Sequence, residues 1–377
     1  MFYLKTECKI TKNKEDLFID LVSFCPCLDY FTFAAKRKAM ATTIKTAFET
    51  IYLTAHLPEE VSIETDANSV EVKVLLEDKS IFSSVYYTYP NTIIVRDIRS
   101  VIEAAMQDSG MPTASMKLTV SAAEDVVSTG NIIVVYSSFK STDSSETFLQ
   151  THFLSTRKSA LVPRNGRFTL SNYSEAYVQG NNNATVFYRT LHDNSRHVYS
   201  YSLGRVQTTI EGIVTADLSH QHFKEVVERN VSPLSCIVDG VEYKIGNRHF
   251  NIFFTDEQPT DVFTFLNAFN IEETVYLYGT TTMKTEVDRT ETVCGKKTEF
   301  FDETVKVKHE VETAPLLYDE AKWLNQMLTS KLVKRLIDDE NKPQVLISDI
   351  TSEVTDSDKD LIRLKFSWKY ADGNEYI

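Results

Sequence analysis

Residues 282–311 constrain the fold more than any other part of this chain. Two Thr-, Glu- and Lys-rich runs alternate with isolated apolar residues and flank Cys294-Gly295-Lys296. Period-two alternation on both sides of a glycine predicts a long β-hairpin. The apolar positions are Val287, Val293, Phe300, Phe301, Val305 and Val307. They are too few to give the hairpin a core of its own, and an isolated strand pair is marginal in water. A long uncovered pair also invites uncontrolled pairing, so a neighbouring subunit is its natural cover. Those six residues are the candidate assembly interface. Phe300 and Phe301 are adjacent, and strand alternation points them to opposite faces, one towards its own subunit and one towards a neighbour.

The rest of the chain is read as strand-rich too. Its 18 Tyr and 22 Phe, with abundant Thr and Val, suit pleated surfaces. Only 11 Gly and 9 Pro are available for turns, so longer loops and turns built on Asn, Asp and Ser are expected. The expected fold class is α+β and β-rich: tandem β-sandwich-like modules with a few helices and a long β-hairpin projection.

Four segments follow. Residues 1–62 form an N-terminal arm, with a strand at Leu17–Val22 and an Ala- and Lys-rich helix from Ala34 to Phe48. Residues 63–146 form a first β module. Its strands are Val70–Leu76, Ile81–Tyr89, Met116–Val120 and Ile132–Tyr136, and Ile94, Ile98, Val101, Ile102 and Ala105 fall at helical spacing. Residues 147–246 form a central β domain with no helix up to Arg229. Its turns are at Asn181-Asn182-Asn183 and His192–Ser195, and a hairpin turns at Asp239-Gly240. Residues 247–377 form a C-terminal α+β domain. It has a strand at His249–Phe254, a Pro-started helix at Pro259–Phe269 and a strand at Thr274–Tyr278. After the hairpin come a helix over Leu317–Ile337 and strands at Gln344–Ser348 and Leu361–Tyr370. At 1.5 Å per residue the later helix spans about 30 Å, with Leu317, Leu324, Met327, Leu328, Leu332 and Leu336 as its apolar stripe.

The formal net charge of −13 disfavours nucleic acid as the main ligand, and Lys36-Arg37-Lys38 is read as a solvated helix end. No signal peptide or membrane span is expected, which points to synthesis in a host cytoplasm. Five Cys at 8, 25, 27, 236 and 294 are read as reduced thiols.

Candidate chemistry is sparse. The sequence contains no phosphate-binding Gly-rich loop, no His-Glu-x-x-His and no Gly-x-Ser-x-Gly. If His220-Gln221-His222 lay on a strand, both imidazoles would share a face and suit a metal, but two solvated histidines are the simpler reading. Glu353, Asp356, Asp358 and Asp360 offer alternate oxygens. A calcium loop of the EF type would want Gly at its sixth position and Glu at its twelfth, and this chain has Leu361 and Ser367 there. Cys25-Pro26-Cys27 is too tight for a redox pair, and Cys236 reads as a buried strand thiol. Tyr86-Tyr87-Thr88-Tyr89 reads as sheet or interface packing, and His192 and His197 as solvated. No catalytic residue, cofactor or metal site is expected.

Two stretches carry a family resemblance. One is Asp256-Glu257-Gln258-Pro259-Thr260-Asp261-Val262-Phe263 through Asn270, leading into Glu272–Gly279. The other is Val345-Leu346-Ile347-Ser348-Asp349 through Asp356, then Arg363-Leu364-Lys365-Phe366-Ser367-Trp368-Lys369-Tyr370. Together with residues 68–139 they resemble structural proteins of tailed phages and prophages. The likeness covers about two thirds of the chain and is missing from residues 1–60. It implies a virion subunit of the tail, baseplate or neck, assembling as a homo-oligomeric ring with copies of itself and other virion proteins. Two rival readings are a bacterial surface, adhesin-like or carbohydrate-binding β-sandwich protein and a glycan hydrolase using paired carboxylates. The missing export signal counts against the first, and the lack of a distinctive acid pair against the second.

Overall fold

The computed structural model describes residues 42–88, 91–122, 125–174, 181–205, 212–231, 236–338, 340–351, 354 and 361–376. Leu17–Val22, Lys36–Lys38, Cys8, Cys25, Cys27, Glu353 and the acidic run at 356–360 lie outside these residues, as does most of Ala34–Phe48.

Strict alternation builds the first module. Its elements are β1 (Thr43–Ile44), β2 (Ile51–Leu53), β3 (Glu60–Glu64), β4 (Ser69–Leu76), β5 (Lys79–Tyr87), β6 (Thr92–Arg96), α1 (Ile98–Ser109), β7 (Thr113–Ala122), β8 (Asp125–Ser128) and β9 (Ile132–Val135). β1-β3-β6 form one sheet and β2-β9-β7-β4-β5 another, with β8 added to β7. Both sheets bury one face in a common core of Val61, Ile63, Val72, Val74, Val95 and Val120, with Ile102 and Met106 of α1. Residues 43–64 therefore supply strands to this module. The described end of the expected Ala34–Phe48 helix is a strand, because Thr43 and Ile44 pair with Glu64 and Ile63. The later helix also starts further on than its periodicity suggests. Ile94 lies in β6, and a left-handed Asp97 (φ 64°) separates strand from helix.

The central domain comprises α2 (Ser145–Thr151), β10 (Ser159–Pro163), β11 (Thr169–Ser174), β12 (Asn181–Thr190), β13 (Arg196–Arg205), β14 (Gly212–Asp217), α3 (His220–Asn230), β15 (Cys236–Ile245) and β16 (Arg248–Thr255). A five-stranded sheet, β10-β16-β15-β12-β13, buries its inner face under α3 and the β11–β14 pair. Two helices lie where the strand-like pattern predicts none. α2 is capped by Ser144, whose hydroxyl accepts from the Thr147 N–H. α3 buries His220, Phe223 and Val227. Asp239-Gly240 makes no hairpin. β15 runs straight through it, and Asp239 is the extra residue of a bulge opposite Phe187 and Tyr188. The turn comes at Gly246-Asn247, so β16 stays in the central sheet. Asn181–Asn183 begin β12 and form no turn, whereas 191–193 do.

The C-terminal domain is one seven-stranded sheet, β18-β17-β21-β22-β23-β20-β19, covered by α4. Its elements are β17 (Asp261–Leu266), β18 (Glu272–Leu277), β19 (Gly279–Cys294), β20 (Lys297–Thr313), α4 (Tyr318–Thr329), β21 (Val333–Arg335), β22 (Gln344–Thr351) and β23 (Lys365–Tyr370). The expected helix at Pro259–Phe269 is instead the strand β17. Its Val262, Phe263 and Phe265 are β-formers, and pairing on both sides outweighs the proline signal. The Leu317–Ile337 helix ends at Thr329. Leu317 is its exposed cap, and Leu332 and Leu336 lie beyond the helix. Val333–Arg335 are drawn into the sheet between β17 and β22. The described residues are thus β-rich α+β in sandwich-like modules, with four α-helices among them.

The modules share a junction core. Ile51, Leu53 and Val135 of the first, Phe148, Leu149 and Tyr173 of the central and Ala268 and Phe269 of the C-terminal module pack together. Buried Arg248 donates to the carbonyls of Leu149, His152 and Tyr173. Asn270, left-handed at φ 56°, donates to the carbonyls of Met106 and Met111 at the end of α1.

Candidate assembly surface

The hairpin spans residues 279–313, longer than its sequence pattern implies, and its two ends are held differently. At the root, Gly279 (φ 148°) is required: a Cβ there would strike the Glu312 carbonyl oxygen and stand 2.8 Å from the Ala314 nitrogen. Thr281 donates to Asp261, which also pairs with Arg335 at 3.1 Å. His309 is buried with its ring stacked 3.9 Å from Trp368, and its Nε2 meets Glu375 at 3.1 Å. β20 pairs with β23 only over His309–Glu312. Beyond that point β19 and β20 have no other strand partner among the described residues, up to the turn at Gly295-Lys296.

Alternation divides this free ribbon into two unlike faces. One carries Lys284, Glu286, Asp288, Lys306 and Lys308, with Lys284 bridged to Glu310 at 2.6 Å and Lys308 to Asp349 at 2.5 Å. The Asp349 carboxylate holds the Lys308 ammonium above its usual pKa. The other face carries Met283, Val287, Val293, Val305 and Val307, with Val287 directly opposite Val305, and also Thr285, Glu291 and the Arg289–Glu303 ion pair at 3.0 Å. A bulge changes the fate of the two phenylalanines. Glu291 pairs with Phe300 and Thr290 with Asp302, so Phe301 is the extra residue. Pairing puts Phe300 on the valine face, where the Arg289 guanidinium lies 4.9 Å from its ring. Counting back from Val305 puts Phe301 on that face as well. The expectation that they point to opposite faces is therefore corrected: one extra residue shifts the alternation and gathers both rings on one side. Phe301 is 79% exposed, Val293 72% and Phe300 57%. Of the six interface candidates only Val307 is half-buried.

The other sequence candidates are scattered. His220 and His222 lie on α3, where residues two apart point away from each other; His220 is buried and His222 exposed, so they cannot share a ligand. Burial, reinforced by the charges of Arg164 and Lys224, lowers the His220 pKa to about 4, and its Nε2 has no hydrogen-bond partner among the described residues. Cys236 is buried in β15, and burial raises its thiol pKa. Tyr86 packs on the first core and Tyr87 is exposed. At the exposed β12–β13 tip, Ser195 Oγ lies 2.6 Å from His197 Nε2 and donates to Asp193 at 2.7 Å. The carboxylate is on the serine and not on the far ring nitrogen, which is not the arrangement of a nucleophilic triad. A cleft of about 470 Å³ opens beside the junction between α1 and α4, and the Asp108–Lys331 pair (3.6 Å) belongs to its lining. Among the described residues no three His, Cys, Asp or Glu gather as a metal cluster, and no helix is long and apolar enough to cross a membrane.

The sequence matches no family model and no curated protein. Among solved structures, the calcium binding domain CBD12 of CALX1.1 aligns over 57% of this chain and all of its own length, at 9% identity. The TM-score of 0.18 is too low to carry an argument.

Proposed function

We propose that this chain is a structural subunit that assembles through the apolar face of its 279–313 ribbon. The observation that carries the reading is the separation of the ribbon's side chains. One face is polar up to Cys294 at the turn, while the other exposes Val287, Val293, Phe300, Phe301 and Val305 around one Arg289–Glu303 ion pair (3.0 Å). An apolar face of this kind on an otherwise uncovered strand pair is stabilised by a partner laid against it. The resemblance to tailed-phage structural proteins supports a virion subunit of the tail, baseplate or neck, and the single projecting ribbon suits head-to-tail contacts that close into a ring.

Replacing residues 286–306 by a short Gly-Ser turn tests the reading. The cut leaves His309 stacked on Trp368, so the domain core stays intact. The expected result is a folded monomer by circular dichroism and light scattering, where the full chain forms larger species. A trimmed chain that assembles as the full chain does would overturn the reading.

A further inference from the structure

A second apolar surface lies on the outer face of the central sheet. Register carries one row straight across all five strands: Leu161 is opposite Phe253, Phe253 opposite Gly240, Gly240 opposite Phe187, and Phe187 opposite Val198. The four side chains are exposed, Val198 by 62% and Phe253 by 55%. Gly240 does not interrupt the row, because the Phe253 ring comes within 3.7 Å of where a Cβ would stand. A Cβ there would also meet the Ile252 carbonyl oxygen at 2.9 Å, so the strands approach this closely only around a glycine. The next row on the same face is polar throughout: Ser159, Asn251, Glu242, Thr185 and Ser200. On the other side lies an ion cluster, in which Asp239 accepts from Arg189 at 2.7 Å and Arg164 at 3.3 Å. A solvated sheet face is ordinarily polar along every row. An apolar row with a polar rim marks a contact surface.

We infer that this row receives the ribbon of a second copy of the chain; the inference rests on the assembly reading above. Three observations favour that occupant. The row crosses five strands at about 4.8 Å spacing, roughly 19 Å in all. On the ribbon, Val287 and Val293 lie six residue steps apart, about 20 Å at strand rise, with Arg289 and Glu291 between them on the same face. The lengths match when the ribbon lies along the row, crossing the sheet strands at a right angle as in orthogonal sheet packing. Charge is complementary as well. Glu291, opposite Phe300 on the apolar face, makes no ion pair among the described residues, and neither does Arg196, two residues from Val198 on the row's face. Finally, the free ribbon from Lys284 to Lys308 has six acidic and six basic residues, so it approaches a chain of net charge −13 without net repulsion. Ribbon and row are different surfaces, so each copy donates one and receives on the other, which is a heterologous contact.

Complementation between two full-length variants tests this. One is a row variant, Phe187→Ser with Val198→Ser; the other is a ribbon variant, Phe300→Ser with Phe301→Ser. All four positions are exposed, and circular dichroism with thermal unfolding verifies the fold. Leu161→Thr with Phe253→Thr is a second row variant should the first unfold. Each variant alone is expected to have the mass of one chain by analytical ultracentrifugation. The equimolar mixture is expected to reach two chain masses and stop, because only one intact ribbon–row pair remains. A row variant that assembles as the unmodified chain does would overturn the inference while sparing the ribbon's role. A ribbon variant that still assembles would overturn both. A mixture that stays at one chain mass, or an unmodified chain that is monomeric at every concentration, would overturn the second copy as the occupant.

Discussion

The module junction and the ribbon both have surfaces that water solvates poorly, and they handle them in opposite ways. At the junction, Arg157 stacks 3.8 Å from the Trp323 ring and faces Glu273 at 3.9 Å. Glu273 in turn accepts from Trp323 Nε1 at 2.5 Å and from Asn267 at 2.7 Å, while Asn267 also donates to the Leu154 carbonyl. Burial lowers the Arg157 pKa, and the Glu273 carboxylate opposes that shift. The two charges oppose each other within one chain and join the central and C-terminal modules, although Arg157 Nε has no hydrogen-bond partner among the described residues. The ribbon has its backbone paired and its polar face bridged, but Val293, Phe300 and Phe301 on its other face stay more than half exposed among the described residues. A surface completed within one chain needs nothing further for stability; the ribbon's exposed face is the one the proposed assembly would cover.

The sharpest way to break this contrast is at the junction. Glu273→Ala leaves a buried guanidinium uncompensated, and such losses cost about 3–5 kcal/mol. The expected result is a large drop in denaturant midpoint. A midpoint within error of the unmodified chain would mean that Arg157 finds water there, and that the junction is no better sealed than the ribbon.

A smaller effect tests the core of the central domain. The His220 pKa falls to about 4 on folding, from an ordinary 6.5. The unfolded chain therefore binds a proton that the folded chain refuses as pH falls through this window. Stability present above about pH 6.5 is lost progressively down to about pH 4, by no more than about 3 kcal/mol. His220→Met is expected to flatten this part of the pH profile of the melting temperature. An unchanged slope would assign the acid sensitivity to other groups.

The smallest effect on stability belongs to the ribbon. Phe301→Ser removes an exposed side chain, and such changes usually stay within about 0.5 kcal/mol. The melting temperature is expected to hold while light scattering shows assembly lost. A clear fall in the melting temperature of the isolated chain would mean that Phe301 already has a partner within its own subunit, and the contrast would disappear.

Strict alternation made the strands of the first module and the ribbon readable from the residues alone, because period two at Val70, Val72 and Val74 has one physical meaning. Helical spacing was less decisive. α3 has Ser219 at its N-cap position (its hydroxyl bonds Phe168 and Asp217 instead of the helix), an i, i+4 pair in Phe223 and Val227 and helix-supporting Gln221–Glu225 and Lys224–Glu228 pairs; this signal is present in the sequence, but the surrounding strands mask it. Val333–Arg335 continue a helical stripe by pattern, yet they pair with β17 and β22, strands that lie far apart in the sequence. Long-range ladders of this kind override local preference and leave no local trace.

The same division runs through the candidate site. The sequence by itself determined that residues 282–311 form a hairpin with few apolar residues, since alternation and the central glycine are local properties. Only the tertiary structure decided that Phe300 and Phe301 share a face, because that depends on a single unpaired residue in the register of two strands. The exposed row on the central sheet also belongs to the tertiary structure. Leu161, Phe187, Val198 and Phe253 are scattered along the chain, and only the stacking of five strands in register brings them into line.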